Sequence, residues 1–275
     1  MPKNSKFTRT TLLPELRADE YFIRKTPSTQ IDYEECYWGI VTDPDGKTRD
    51  RTSERLAFLE TVKPELQAIN TRLPGRILDI GCGLGFLLSG VDERWERHGV
   101  EISHFATERA KAWGSIHLGE LEAAGYPGSY FDVVVLYHVI EHLEYPEKTI
   151  LEARRVLADD GLLILGTPDF DSICARHFGA NYRLLQDPTH ISLFSRESME
   201  RFLRDHGFII NTVDFPFFRT PYFQKENLLR IFDKSQISPP FPGNFMTFYC
   251  RKMRSKDAQE LITHITNRLT CFLKK

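Results

Sequence analysis

Three stretches of this 275-residue chain have residue types and spacing that could do chemistry. The first is Asp79-Ile-Gly81-Cys82-Gly83-Leu-Gly85, an acid followed by three alternating glycines. Glycine lacks a Cβ, so such a turn can take unusual backbone angles and let a ligand approach closely. The second is His138-Val-Ile-Glu141-His142, where a histidine can serve as a base near neutral pH. The third is Asp187-Pro-Thr-His190, which supplies a distant histidine. Glu101 and Glu120 are further acids placed just after short apolar runs.

The elements that must position these residues are legible around them. Arg76–Ile80 reads as a buried parallel strand that runs into the glycine turn, with a helix starting near Leu84. Strand Gly99–Ile102 ends on Glu101 and Ile102, and Ser103 is a plausible cap for the next helix. Ser115–Leu118 is a short third strand, and Phe131–Tyr137 is the strongest strand in the chain, delivering His138 at its end. A helix opens near Pro146; Asp160-Gly161 then turns into Leu162–Leu165. This alternation predicts an α/β fold with a mostly parallel sheet covered by helices on both faces. Ligands in such sheets bind beyond the carboxyl ends of the strands, and an acid about twenty residues past a glycine turn is placed to meet ribose hydroxyls, the role expected of Glu101.

The dinucleotide-binding fingerprint requires a third glycine at the position of Phe86, so a nicotinamide oxidoreductase fits poorly. The pattern Asp79-x-Gly81-x-Gly83-x-Gly85 instead resembles the first motif of class I S-adenosylmethionine-dependent methyltransferases. The resemblance covers roughly residues 76 to 214 and implies a Rossmann-like seven-stranded sheet with S-adenosylmethionine as cofactor and S-adenosylhomocysteine as product. It implies that Asp79 orients the loop and that Gly81, Cys82, Gly83 and Gly85 line the cofactor. Glu101 and Ile102 would meet the ribose and its surroundings. Glu120 would accept from the adenine amino group with Leu121 flanking the ring, and His138 would border the methionine tail. Some relatives carry Glu-x-x-Glu-His at the second stretch and bind a divalent metal. This chain has His138 in place of the first Glu; His138, Glu141, His142 and the distant His190 could make a mixed N/O site, but activity without a metal is expected. His138 and His190 are the best candidates for a base, with Glu141 and His142 beside them.

The remainder frames the same expectation. Residues 1–72 read as an N-terminal helical segment, with a helix from Ser53 broken at Pro64; the resemblance implies that such a segment folds over the cofactor, and helical padding on the sheet is the alternative. Residues 73–255 form the catalytic domain, with an aromatic-rich insert before the last strand, and Asp257–Leu273 is an amphipathic helix. The insert reads as core, dimer contact or lid. With 36 basic and 38 acidic residues the net charge is −2, which gives no footing for nucleic-acid or membrane-surface binding. Five cysteines without paired spacing, and no apolar run of signal or membrane-spanning length, point to the cytosol. The expected activity is O-methylation of a small molecule or sugar unit. A metal-using RNA 2′-O-methyltransferase and a non-catalytic cofactor-binding module are the alternatives.

Overall fold

The computed structural model describes residues 16–26, 32–43, 46–218 and 220–254. The proposed C-terminal helix, Asp257–Leu273, lies outside these residues.

Seven strands build the central sheet: β1 Arg76–Ile80, β2 Glu96–Glu101, β3 Ser115–Leu118, β4 Phe131–Tyr137, β5 Leu157–Pro168, β6 Phe208–Asp214 and β7 Phe245–Lys252. Their order across the sheet is β6-β7-β5-β4-β1-β2-β3. The first five pair in parallel, and β7 inserts antiparallel between β5 and β6. Strand order reverses at β1, flanked by β4 and β2, so the crevice above its carboxyl end is the place for a ligand. The glycine turn and His138 both emerge there.

Side-chain alternation along each strand sends two apolar sets to opposite faces. Leu78, Ile80, Val134 and Leu136 share a core with Ile150 and Ala153 of α5 (Pro146–Val156) and with Met199 and Phe202 of α6 (Arg196–Asp205). Ile77, Val133, Val135 and Ile164 share another with Ile69 of α2 (Lys63–Asn70) and Leu87 and Leu88 of α3 (Phe86–Gly90). Both sheet faces are thus covered, as the sequence pattern required.

Local chemistry sets the helix ends. The Ser103 hydroxyl accepts the Ala106 N–H at 3.1 Å and opens α4, His104–Ala110. Ser195 and Ser198 form a reciprocal capping box at α6, which gives way to Gly207 at φ 80°. Near Pro64 the chain divides into α1 (Arg55–Thr61) and α2, with Pro64 in the first turn of α2, where its missing N–H costs nothing.

Two expectations need correction. Asp160-Gly161 is not a turn between elements; β5 runs through it, and the extra residues form an irregularity between the pairs Phe131/Leu157 and Val133/Leu162. Among the described residues, the first helix of the N-terminal segment longer than a single turn begins at Arg55. Before that, Leu16–Ala18 and Ile23–Lys25 form a small antiparallel sheet with Ser192–Leu193, a single helical turn spans Glu35–Trp38, and Ile40–Thr42 pairs with Thr48–Asp50. Strands of three residues carry too little pattern to announce themselves; tertiary pairing fixes them.

Candidate active site

The glycine turn is held by backbone bonds to β2. Gly81 N–H and Cys82 N–H both donate to Val100 O, at 2.8 and 3.1 Å, and Gly83 N–H donates to Glu101 Oε2 at 2.8 Å. Gly81, Gly83 and Gly85 all have φ between 52° and 75°, which L side chains rarely adopt. Gly83 also has no room: a Cβ there would stand 2.3 Å from the Trp38 ring. Cys82 lends only backbone to the turn, since its side chain is buried in the core beside β2.

Glu101 is buried, and its other oxygen accepts Ser103 N–H at 2.9 Å. One carboxylate therefore ties the glycine turn to the start of α4. Burial pushes its pKa up, against the two backbone bonds. Each oxygen keeps a lone pair for a ligand hydroxyl. Asp79 lies one strand away, fully inside, with its pKa pushed to about 8 by burial and then by the Glu101 charge. Among the described residues its carboxyl makes no hydrogen bond to the turn, so it does not orient the loop by a direct contact.

Ile102 is 53% exposed beside this site, free to meet a flat ring. Glu120 is exposed where β3 ends, in keeping with a ligand contact. Leu121, 2% exposed, packs in the core with Ile80 and Val100 at the end of β3.

A lid that the sequence only hinted at covers the site. Glu34 accepts N–H bonds from His104 and Phe105 at 2.9 and 2.8 Å, latching the segment to the start of α4. Those bonds, that of Phe105 foremost, hold its carboxyl below the usual range. Trp38 then rests on Gly83, and the Arg51 guanidinium carbon sits 4.3 Å from the Tyr37 ring centre. The cluster Asp32-Tyr-Glu-Glu-Cys-Tyr-Trp-Gly39 was the available signal, since so dense an aromatic group rarely sits idle on a surface.

Beyond β4 the three histidines and Glu141 come together. His138 has φ 58°, a left-handed conformation that side-chain-bearing residues seldom adopt. Its N–H donates to Gly166 O at 2.9 Å, and its ring lies against Tyr137 and Phe245. Its Nδ1 is 2.9 Å from Glu141 Oε1. Glu141 is fully buried and its Oε2 accepts the Thr167 hydroxyl at 3.0 Å. Burial alone would raise this carboxyl; the His138 hydrogen bond and the charges of His138, His142 and His190 outweigh it and hold it at about 2.

His142 Nδ1 lies 3.1 Å from Thr189 O, and His190 Nδ1 lies 2.7 Å from Leu184 O. A carbonyl only accepts, so both Nδ1 atoms carry a proton, while His190 Nε2 lies 3.9 Å from Asp187 Oδ2. Burial and then the neighbouring His190 lower the His142 pKa to about 4, which keeps the ring neutral. The two rings are 4.9 Å apart, and ligand atoms from Glu141, His142 and His190 lie within 4.8 Å of one another. His190 itself is only 6% exposed. Lys25 steadies its segment, donating to Leu185 O and Asp187 O at 2.7 and 2.6 Å.

The site thus combines a buried carboxylate at Glu101, a left-handed glycine turn at Gly81–Gly85 and an ionisable cluster beyond β4. Comparison with known proteins gives the family. The ubiquinone biosynthesis O-methyltransferase of Azoarcus sp. is 28% identical over 152 residues, which is 48% of this chain and 63% of that protein. The ajmaline N-methyltransferase of Rauvolfia serpentina is 34% identical over 103 residues, 34% of this chain and 35% of that protein. The chain thus spans between about a third and two thirds of these curated relatives' own lengths. Among solved structures, a SAM-dependent methyltransferase of Thermotoga maritima, described as a possible histamine N-methyltransferase, superposes with a TM-score of 0.55 at 26% identity, over 73% of this chain and 95% of that one. Residues 51–213 match the methyltransferase-domain family. The chain therefore belongs to that family, the S-adenosylmethionine-dependent methyltransferases.

Proposed function

We propose that the protein methylates an oxygen of a small molecule or sugar unit, with His138 as the base. The observation that carries this reading is the His138–Glu141 pair. S-Adenosylmethionine supplies a methyl group on a good leaving group. The chain's own residues must align the acceptor, exclude water and take a proton. Glu141, ionised and buried, orients His138 through Nδ1 and leaves Nε2 to accept a proton at the mouth of the site. The His138 side chain is 31% exposed and within reach of an acceptor, whereas His190 offers almost no surface. This favours His138 over His190 as base, leaving His190 to hold the loop and the His142 ring. Tyr33, Tyr37 and Trp38 pack on one another, with Tyr33 against His142 and Trp38 on Gly83, and would shield the cofactor from water.

An acceptor screen with methyl-labelled cofactor, read by product mass and fragmentation, tests the reading. A product methylated on oxygen is expected; methyl on nitrogen or carbon would overturn it.

One observation favours a second reading. Glu141, His142 and His190 could hold a divalent cation, because both imidazoles present Nε2 while Nδ1 is tied to a carbonyl, the usual outer arrangement of a metal-bound histidine. Such an ion would lower the acceptor's pKa and would compete with His138 for Glu141. Dialysis against a chelator separates the two. The His138 reading expects turnover to survive; loss of turnover restored by a divalent ion would establish the metal reading.

A further inference from the structure

Glu65 of α2 is a buried acid, 3% exposed, that belongs neither to the glycine turn nor to the histidine cluster. Its Oε1 accepts the Thr247 hydroxyl at 2.9 Å. Its Oε2 is buried and has no hydrogen-bond partner among the described residues, and no lysine or arginine among them pairs with the carboxyl. Ionised, Glu65 is an unpaired buried charge; protonated, it carries an unpaired buried donor. Either state is costly, and folded proteins rarely keep such a group without a reason.

Strand register carries this carboxyl to the acceptor side of the site. Asp214, Thr247, Gly166 and Tyr137 stand side by side across β6, β7, β5 and β4. Residues paired in this way point to one face. Tyr137 packs in the core under α2, as does Tyr249, two residues beyond Thr247, so the row lies on the α2 face. Gly166 puts no side chain in the middle of the row, and the Tyr137 ring uses that space: a Cβ on Gly166 would stand 2.5 Å from Tyr137 Cδ2. Tyr137 therefore leans from β4 towards Thr247 and Glu65. The His138 ring lies 4.7 Å from that of Tyr137 and 4.8 Å from that of Phe245, which shares the face of Thr247. Phe58 of α1 meets Tyr137 edge-on at 6.1 Å, and Tyr222 lies 6.3 Å from Phe245. Burial raises the Glu65 pKa, and Asp214 and His138 are among its ionisable neighbours.

A protonated amine complements aromatic rings and a carboxylate that lacks a cation. Ring faces attract the charge, and the ammonium gives the open oxygen a charge-assisted bond. Tyr137 and Thr247 are two strands apart, about 10 Å at the usual strand spacing, a distance that a small molecule can bridge.

We propose that Glu65 binds an ammonium group of the methyl acceptor, so that the substrates are hydroxylated aromatic amines with the hydroxyl at His138 and the amine at Glu65 Oε2. The rings of Tyr137, Phe58, Phe245 and Tyr222 then hold the body of the substrate. Oε2 is covered in this conformation, so admitting the amine requires a side-chain movement at the site. The assignment rests on the reading of His138 as the base.

Equilibrium binding to the full chain saturated with S-adenosylhomocysteine tests it. Tyramine carries a phenol and a protonated amine; 4-ethylphenol keeps the ring and hydroxyl and lacks the amine. Glu65→Gln keeps the shape and an oxygen for Thr247 while removing the charge. Wild type should bind tyramine about 10- to 100-fold more tightly than 4-ethylphenol. The variant should bind the two within about 3-fold of each other, with its affinities for 4-ethylphenol and S-adenosylhomocysteine unchanged. Equal affinities in wild type, or no tyramine binding, would overturn the proposal, as would a preference that survives in Glu65→Gln. Loss of S-adenosylhomocysteine binding in the variant would overturn it too, since Glu65 would then only support the fold. The oxygen-methylation reading fails separately, because these titrations involve no turnover: methyl found on nitrogen in the acceptor screen would overturn that reading and leave the Glu65 result standing.

Discussion

At the scale of single residues the site is a set of buried ionisable groups, each held in one state by its surroundings. Glu101 accepts from the Gly83 and Ser103 N–H groups, and we propose that its remaining lone pairs take the ribose hydroxyls. Glu101→Ala should weaken S-adenosylhomocysteine binding by about 1.5–3 kcal/mol, as loss of charge-assisted hydrogen bonds does; calorimetry showing no change would remove Glu101 from the site. Asp79 makes a different prediction. Its folded pKa of about 8 lies above its ordinary value of 3.8, so between these pH values the folded protein keeps a proton that the unfolded chain has released. The stability this group contributes should therefore be full below about pH 4, decline as pH rises towards 8, and fall no further above that. Asp79→Asn should flatten that part of the slope in urea midpoints compared at pH 5 and pH 8. An unchanged slope would show that Asp79 is ionised in the fold. The glycine turn, Glu101 and the His138 stretch were all legible in sequence, because the end of a buried strand fixes where the next few residues emerge. His190 was legible as a candidate partner of His138, Glu141 and His142, but its ring contact with His142 was not. Those residues lie far apart in sequence, and only the path of residues 183–190, anchored by Lys25 from the N-terminal strand, brings the rings together.

At the scale of elements, strands β1 to β5 needed little beyond their own apolar runs, and their periodicity was readable. The lid was not, because its hairpin strands are three residues long and its shape depends on the surface it lands on. Glu34 is the clearest example. Nothing in Asp32–Gly39 announces a bond to α4, yet its carboxylate takes two N–H groups that Ser103 leaves open. Glu34→Ala should loosen the lid and speed release of S-adenosylhomocysteine several-fold. Stopped-flow fluorescence can track this, with Trp38 reporting. An unchanged release rate would show that the lid is held by its aromatic contacts alone.

At the scale of the whole molecule, the N-terminal segment is not a detachable cap. Ile23–Lys25 pairs with Ser192–Leu193, so residues from before the sheet and from after β5 build one wall of the site. Among the described residues no helix is long and apolar enough to cross a membrane. The insert before β7 leaves Phe218 73% exposed and Phe217 and Phe223 half-exposed, packed on one another. Its composition predicted that clustering, though not its place beside Phe245 and the His138 ring, which depends on Tyr222. Two distant parts of the chain therefore converge on His138, and that residue is where the account is most exposed. The most direct test is single-turnover methyl transfer by His138→Gln, using the acceptor that the wild-type screen identifies. An amide can orient a hydroxyl but cannot take its proton near neutral pH. The account predicts a rate lower by about 10²- to 10⁴-fold with S-adenosylhomocysteine affinity little changed. A rate close to wild type would contradict it and return the proton transfer to another group.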